Sequence, residues 1–150
     1  MMDIDVQYAV SPVGLPSEQE LIDWASLAIP EDKQDVSMTV RIVDEQESAQ
    51  LNATYRHKQG PTNVLSFPTD IPAEVESNLL GDLVICAPVV MREAKEQGKA
   101  ATAHWAHMVI HGTLHLQGYD HQTDKEAQKM EEFERNILIK IGFNDPYKEI

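Results

Sequence analysis

The sequence predicts an α+β fold, one mixed β-sheet of about four strands with about five helices packed against it. Three observations carry this. Alternating, β-rich runs gather before residue 88, while the rest of the chain follows helical periodicity. Capping signatures open helices at Ser17, Asp44 and Thr123. No repeat, low-complexity tract or linker breaks the 150 residues, which read as a single domain, 1–150.

Residues 3–9 (DIDVQYA) alternate as a short strand. Ser17-x-x-Glu20 is a capping box that opens a helix to about Ala28, with Leu21, Trp24 and Leu27/Ala28 on its apolar side. The helical spacing of Trp24 from Leu21 and Leu27 marks it as core rather than a stacking platform. Residues 36–43 (VSMTVRIV) form the second strand. Asp44 and Glu47 repeat the cap signature and start a helix to about Arg56. A loop over 57–62 leads into a short strand, 64–67, ended by Pro68. Residues 69–78 (TDIPAEVESN) carry a proline and three acids and read as an exposed loop. The run 79–87 is apolar apart from Gly81-Asp82, as a central strand is. Pro88 suits the first turn of a helix ending near Gly98. A long helix from about Ala100 to Gln117 follows, and Thr123-x-x-Glu126 caps a last one to about Ile141.

The long helix carries the chemistry. Residues 111–121 (HGTLHLQGYDH) set three histidines at a 1-5-11 spacing with a glycine at position 8. His111 and His115 stand one turn apart on one face, so their imidazoles converge. Gly118 can adopt a left-handed conformation, end the helix and turn the chain toward a third ligand, His121. Three neutral imidazoles leave a tetrahedral Zn²⁺ with an open position, which is the catalytic arrangement. The expectation is one zinc per chain at the end of this helix, on His111, His115 and His121. With 6 His and 7 Gly, shuffled chains would show the pattern about once in two thousand trials. His104 and His107 fall on the same stripe and read as surface or supporting groups, with His107 placed to hydrogen-bond near the site.

The spacing is that of H-E-x-x-H-x-x-G-x-x-H, in which a glutamate after the first histidine is the general base of a zinc-protease class. This chain has Gly112 there, which takes no proton. Peptide hydrolysis is demoted unless a carboxylate from elsewhere substitutes.

Segment 111–121 resembles the metal site of the YbeY family, bacterial endoribonucleases that mature ribosomal RNA. Two further segments carry the resemblance: residues 55–58 (YRHK) with 61–68 (PTNVLSFP), and residues 81–85 (GDLVI). The family usually has an acidic residue where this chain has Gln59, and commonly aspartate or asparagine at the Asn63 position. The resemblance runs from about Tyr55 to Glu134. It implies a metal-dependent, single-strand endoribonuclease acting in 16S rRNA 3′-end maturation, rRNA processing and ribosome quality control. Phosphate chemistry needs a cation on the developing charge, and a guanidinium binds it bidentately. The resemblance points to Arg56 for that role, catalytic and substrate-binding, with Lys58 on the RNA backbone. Asp120 beside His121, or Asp82, is placed to orient a ligand or take a proton, and the RNA 2′-hydroxyl is an alternative nucleophile.

A net charge of −13 sets limits on partners. Acids outnumber bases in every part, 11 to 4 over 1–60, 6 to 3 over 61–110 and 8 to 5 over 111–150. Nucleic-acid contact is therefore confined to a small strip such as Arg56-His57-Lys58 or Arg92/Lys95/Lys99. The implied partners are ribosomal RNA and the ribosome, through a helper protein, with no DNA expected. The sequence shows neither a secretory signal pattern nor an apolar run long enough for a bilayer, and no membrane partner is expected. The single cysteine, Cys86, lies in an apolar run and reads as a core residue in a reducing cytoplasm. Two other classes stay open, a metallopeptidase with an unusual base and a non-catalytic ribosome-associated module with structural zinc.

Overall fold

A computed structural model describes residues 2–33, 35–69, 78–119 and 122–147. The elements run β1 (Asp3–Tyr8), α1 (Glu18–Leu27), a 3₁₀ turn (Glu31–Lys33), β2 (Ser37–Val43), α2 (Glu45–Arg56), β3 (Val64–Pro68), β4 (Leu79–Cys86), α3 (Ala87–Glu96), α4 (Ala101–Leu116) and α5 (Asp124–Lys140). Each expected element is present, with bounds within two residues of those read from the sequence. Residues 70–77, most of the loop expected after Pro68, lie outside the described residues.

The four strands make one sheet in the order β1-β2-β4-β3. The first three are parallel and β3 runs antiparallel at the edge, so the sheet is mixed. Val6 pairs with Val40, and Val40 with Leu83. Ser66 lies opposite Leu83 and Phe67 opposite Asp82. Strand alternation then sorts these residues onto two faces. Ile4, Met38, Val40, Ile42, Leu83 and Ile85 point into the larger core with α1, α4 and α5. Val43, Leu65, Val84 and Cys86 point the other way, beneath Leu51 of α2 and Val89 of α3.

The caps explain why the helices start where they do. Ser17 accepts from the Glu20 amide and Glu20 reaches back to the Ser17 amide, both halves of the box. Asp44 caps α2 through the Glu47 amide, but Glu47 does not reciprocate. Its carboxylate binds Arg41 bidentately, at 2.6 and 3.0 Å. Thr123 caps α5 through the Glu126 amide. Trp24 is core, as expected, whereas Leu27 is 42% exposed and Ala28 is buried in its place. Cys86 is a buried free thiol whose pKa burial pushes up, in keeping with a packing role.

Helix α4 is buried on most sides, with Trp105, Ala106, Val109, Ile110 and Leu114 in the core. It lies over β3 and β4 so closely that Gly112 allows no side chain. A Cβ there would meet Leu83 Cδ1 at 2.2 Å and Val64 Cγ2 at 3.1 Å. The residue that removes the protease base is therefore the residue that seats the helix on the sheet.

Candidate functional site

His111 and His115 project from the last two turns of α4, both half-buried. Their Nε2 atoms stand 3.1 Å apart. Each opposite nitrogen is held. The Nδ1 of His111 bonds the carboxylate of Glu134 on α5. The Nδ1 of His115 lies 2.9 Å from the Tyr119 carbonyl, which can accept but not donate. Both Nδ1 atoms thus carry the proton in the neutral rings, and both Nε2 lone pairs face one another. Two lone pairs so placed can serve one cation between them. Two imidazoles on one tetrahedral Zn²⁺, at about 2.05 Å each, would set their nitrogens about 3.3 Å apart, so the pair fits such an ion.

The turn after α4 supplies half of this arrangement. Gly118 takes φ +96°, its amide bonds the His115 carbonyl, and the Tyr119 amide bonds the Leu114 carbonyl. That is the Schellman closure, which a glycine at this position permits without strain. It ends the helix as the sequence predicts and brings the Tyr119 carbonyl back to His115. His121 and Asp120 lie outside the described residues.

Glu134 was not read from the sequence. It is fully buried, at 0% exposure, and its carboxylate takes contacts from His111 Nδ1, from Tyr147 Oη and, at 3.4 Å, from His107 Nε2. Burial alone would raise its pKa, but the hydrogen bonds from His107 and His111 outweigh burial and hold it near 2. Burial and the same carboxylate push the Tyr147 phenol up, so that it remains a donor. A signal was available. Met130, Glu134 and Leu138 are spaced by four and form the buried stripe of α5, with one carboxylate among apolar residues.

His107, His111 and Glu134 are themselves close enough to hold a metal ion, each offering one atom within 4.8 Å of the others. In that grouping Glu134 already accepts from the Nδ1 of His111, and both Glu134 and His107 are buried. His111 and His115, by contrast, are half-buried. Histidine donating to a carboxylate while its other nitrogen meets a metal is the usual supporting arrangement. His104 and His107 are both buried, which corrects the alternative of a surface role. Burial lowers the His104 pKa, and its Nε2 lies 3.0 Å from Glu93, which also accepts from Asn63.

The basic segment is built by α2. Ser48 and Asn52, one turn apart and both buried, hold the loop that follows. Asn52 donates to the Gly60 carbonyl at 2.9 Å, and the Ser48 hydroxyl bonds both the amide and the carbonyl of Thr62 at 3.0 Å. His57 ends the helix at φ 57°, a left-handed conformation unusual for a side chain. Arg56, His57 and Lys58 are exposed along this fixed turn.

Arg56 belongs to the helix on the far face of the sheet, yet β3 brings the two faces together. Tyr55 packs edge-on against Phe67, ring centroids 5.2 Å apart. The adjacent Ser66, pointing to the opposite face, donates to the Gly112 carbonyl at 3.0 Å. One edge strand therefore separates the Arg56 turn from the His111–His115 helix. Asp82 does not share that placement. It is exposed on the α2 face, with Phe67 and Val84, because strand parity sends Leu83 toward α4.

Comparison with known proteins agrees with this geometry. The solution structure of TM1509 from Thermotoga maritima is similar over 99% of this chain and 100% of that chain, with 24% identity and a TM-score of 0.57. That likeness shows the fold. The family model described as endoribonuclease YbeY matches residues 16–142, which takes in the capped helix α1, the basic turn, the histidine helix and Glu134. The chain belongs to the YbeY family of endoribonucleases.

Proposed function

We propose that this protein is a zinc-dependent endoribonuclease that cuts single-stranded RNA, in the cytoplasm, during 16S rRNA 3′-end maturation and ribosome quality control. Family membership supports the ribonuclease reading. The observation that carries the metal dependence is the 3.1 Å approach of the His111 and His115 Nε2 atoms with both Nδ1 atoms tied back. His111, His115 and His121 hold one ion per chain. When bound, the ion polarises a phosphoryl oxygen and favours hydroxide over water. Glu134 and the Tyr119 carbonyl fix which nitrogen of each ring is turned toward it. Arg56 holds the scissile phosphate bidentately and Lys58 a neighbouring one, while Asp120 takes the proton of the attacking oxygen. With 25 acidic against 12 basic side chains, the protein relies on the ribosome or a helper protein to deliver its substrate.

Elemental analysis tests the metal centre directly. His111→Ala and His115→Ala should each bind less than a tenth of the zinc held by the parent protein. Affinity in the parent should weaken as pH falls, since bound imidazoles must be neutral. Full zinc content in the double variant would remove these residues from the centre.

Arg56 should separate from the metal. Arg56→Ala should keep its zinc and lose roughly a hundredfold or more in RNA cleavage, mostly in kcat, if the guanidinium acts on the transition state. Arg56→Lys should restore little, because a point charge does not reproduce the fork. Parental cleavage by Arg56→Ala would place phosphate binding elsewhere.

A further inference from the structure

The α2 face of the sheet is covered in part, and the uncovered part forms a groove of about 470 Å³. Its floor is Thr39, Asp82 and Phe67 from three strands, with Gln7 at the far side and Leu51 and Tyr55 along α2. Tyr55 stands at the lip, 62% exposed, with its ring held edge-on by Phe67. Immediately beyond it come Arg56, His57 and Lys58, all exposed on the turn that Ser48 and Asn52 hold. The cation that lines the groove, Arg41, is paired with Glu47.

We propose that this groove is a base-binding subsite of the nuclease, in which Tyr55 stacks on an unpaired base of the RNA flanking the cut. The inference rests on the ribonuclease reading and adds to it a recognition residue. Three features select single-stranded RNA as the occupant. A presented aromatic face beside an open sheet surface suits stacking on a splayed base, and a duplex does not offer one. The charges differ along the path: the groove carries the carboxylate of Asp82 beside the paired Arg41 and Glu47, and the exposed Arg56 and Lys58 follow Tyr55 on the next turn, outside its lining. Phosphates are therefore drawn to Arg56 and Lys58 and repelled from the interior, and the base enters with its amino edge toward an acceptor. Finally, the groove and the His111–His115 pair lie on opposite faces of the edge strand β3. A strand held by Tyr55 and Arg56 passes over that edge to reach the metal centre.

The test uses the whole, zinc-loaded protein and a short 2′-O-methyl oligoadenylate, which resists cleavage, at low salt. Tyr55→Ala should bind it roughly tenfold or more weakly, whereas Tyr55→Phe should stay within about twofold. A 2-aminopurine in the oligonucleotide should be quenched by the parent and by Tyr55→Phe, but not by Tyr55→Ala. The salt slope should be unchanged in Tyr55→Ala and reduced by about 1 in Lys58→Ala, because one loses a stacking surface and the other a phosphate contact. An abasic oligonucleotide should bind the parent as weakly as oligoadenylate binds Tyr55→Ala. If Tyr55→Ala unfolds, Tyr55→Leu keeps the contact with Phe67, and it should show the same loss of quenching. Parental binding by Tyr55→Ala, or equal binding of abasic and intact oligonucleotides, overturns the subsite while RNA cleavage by the parent still stands. Absence of both binding and cleavage in the parent overturns the nuclease reading with it.

Discussion

Glu134→Ala is expected to cost the fold about 3–5 kcal/mol and to weaken zinc binding roughly 10–100-fold. The stability loss follows from what the carboxylate leaves behind. The His111 Nδ1 and the Tyr147 hydroxyl would lose the carboxylate they share, which is itself fully buried, and the His107 Nε2 would be left with the Tyr147 hydroxyl 3.1 Å away. The affinity loss follows from orientation, because His111 would no longer be held with its Nε2 toward His115. Glu134→Gln should lie between, since its amide keeps the shape and one acceptor but loses the charge. The pH dependence has a definite sign. A carboxyl held near 2 against an ordinary 4.5 contributes stability that is fully present above pH 4.5 and lost as pH falls from there through 2. Acid denaturation of the metal-free protein should therefore show a limb in that window, and Glu134→Gln should lack it. Unchanged zinc affinity in Glu134→Ala would show that the carboxylate does not set the orientation of His111.

Substitution at Gly112 should act on the fold before it acts on chemistry. The alanine Cβ would press on Leu83, which is fully buried and has nowhere to swing. Overpacking of this kind costs about 1–3 kcal/mol, against which alanine recovers about 1 through helix propensity. Thermal melts should thus show Gly112→Ala less stable by up to about 2 kcal/mol. Gly112→Glu, which restores the protease pattern, drives a carboxylate into the interface with β3 and β4. It should fail to accumulate as folded protein, and it should show no peptide hydrolysis. A stable, folded Gly112→Glu would mean that α4 can lift from the sheet.

Local signals were legible because their physics is local. The box at Ser17, the caps at Asp44 and Thr123 and the Gly118 stop each depend on residues within four or five positions. His111 and His115 were readable for the same reason, since helical spacing alone brings them to one side. Glu134 depends on how α5 is laid against α4, and it sits among other acids in the segment Glu131-Glu132-Phe133-Glu134, so charge alone does not single it out. The same holds for Asp82. Alternation fixes that it points away from Leu83, but which face receives the histidine helix is decided by the sheet order. Leu27 and Ala28 show the limit of periodicity, because a one-residue difference in helix rotation exchanges which of them is buried.

The loop from His57 to Asn63 is tied to α2 by Ser48 and Asn52, and the described contacts of these two residues do not include the histidine helix. Asn63 joins the end of that loop to Glu93 and through it to His104 of the histidine helix, whereas the exposed residues 57–59 are held from the α2 side. Residues at 57–59 can be exchanged while both anchors stay in place. Under the proposed phosphate contact of Lys58, exchange at 57–59 changes how strongly the turn binds while His111, His115 and Glu134 keep their places.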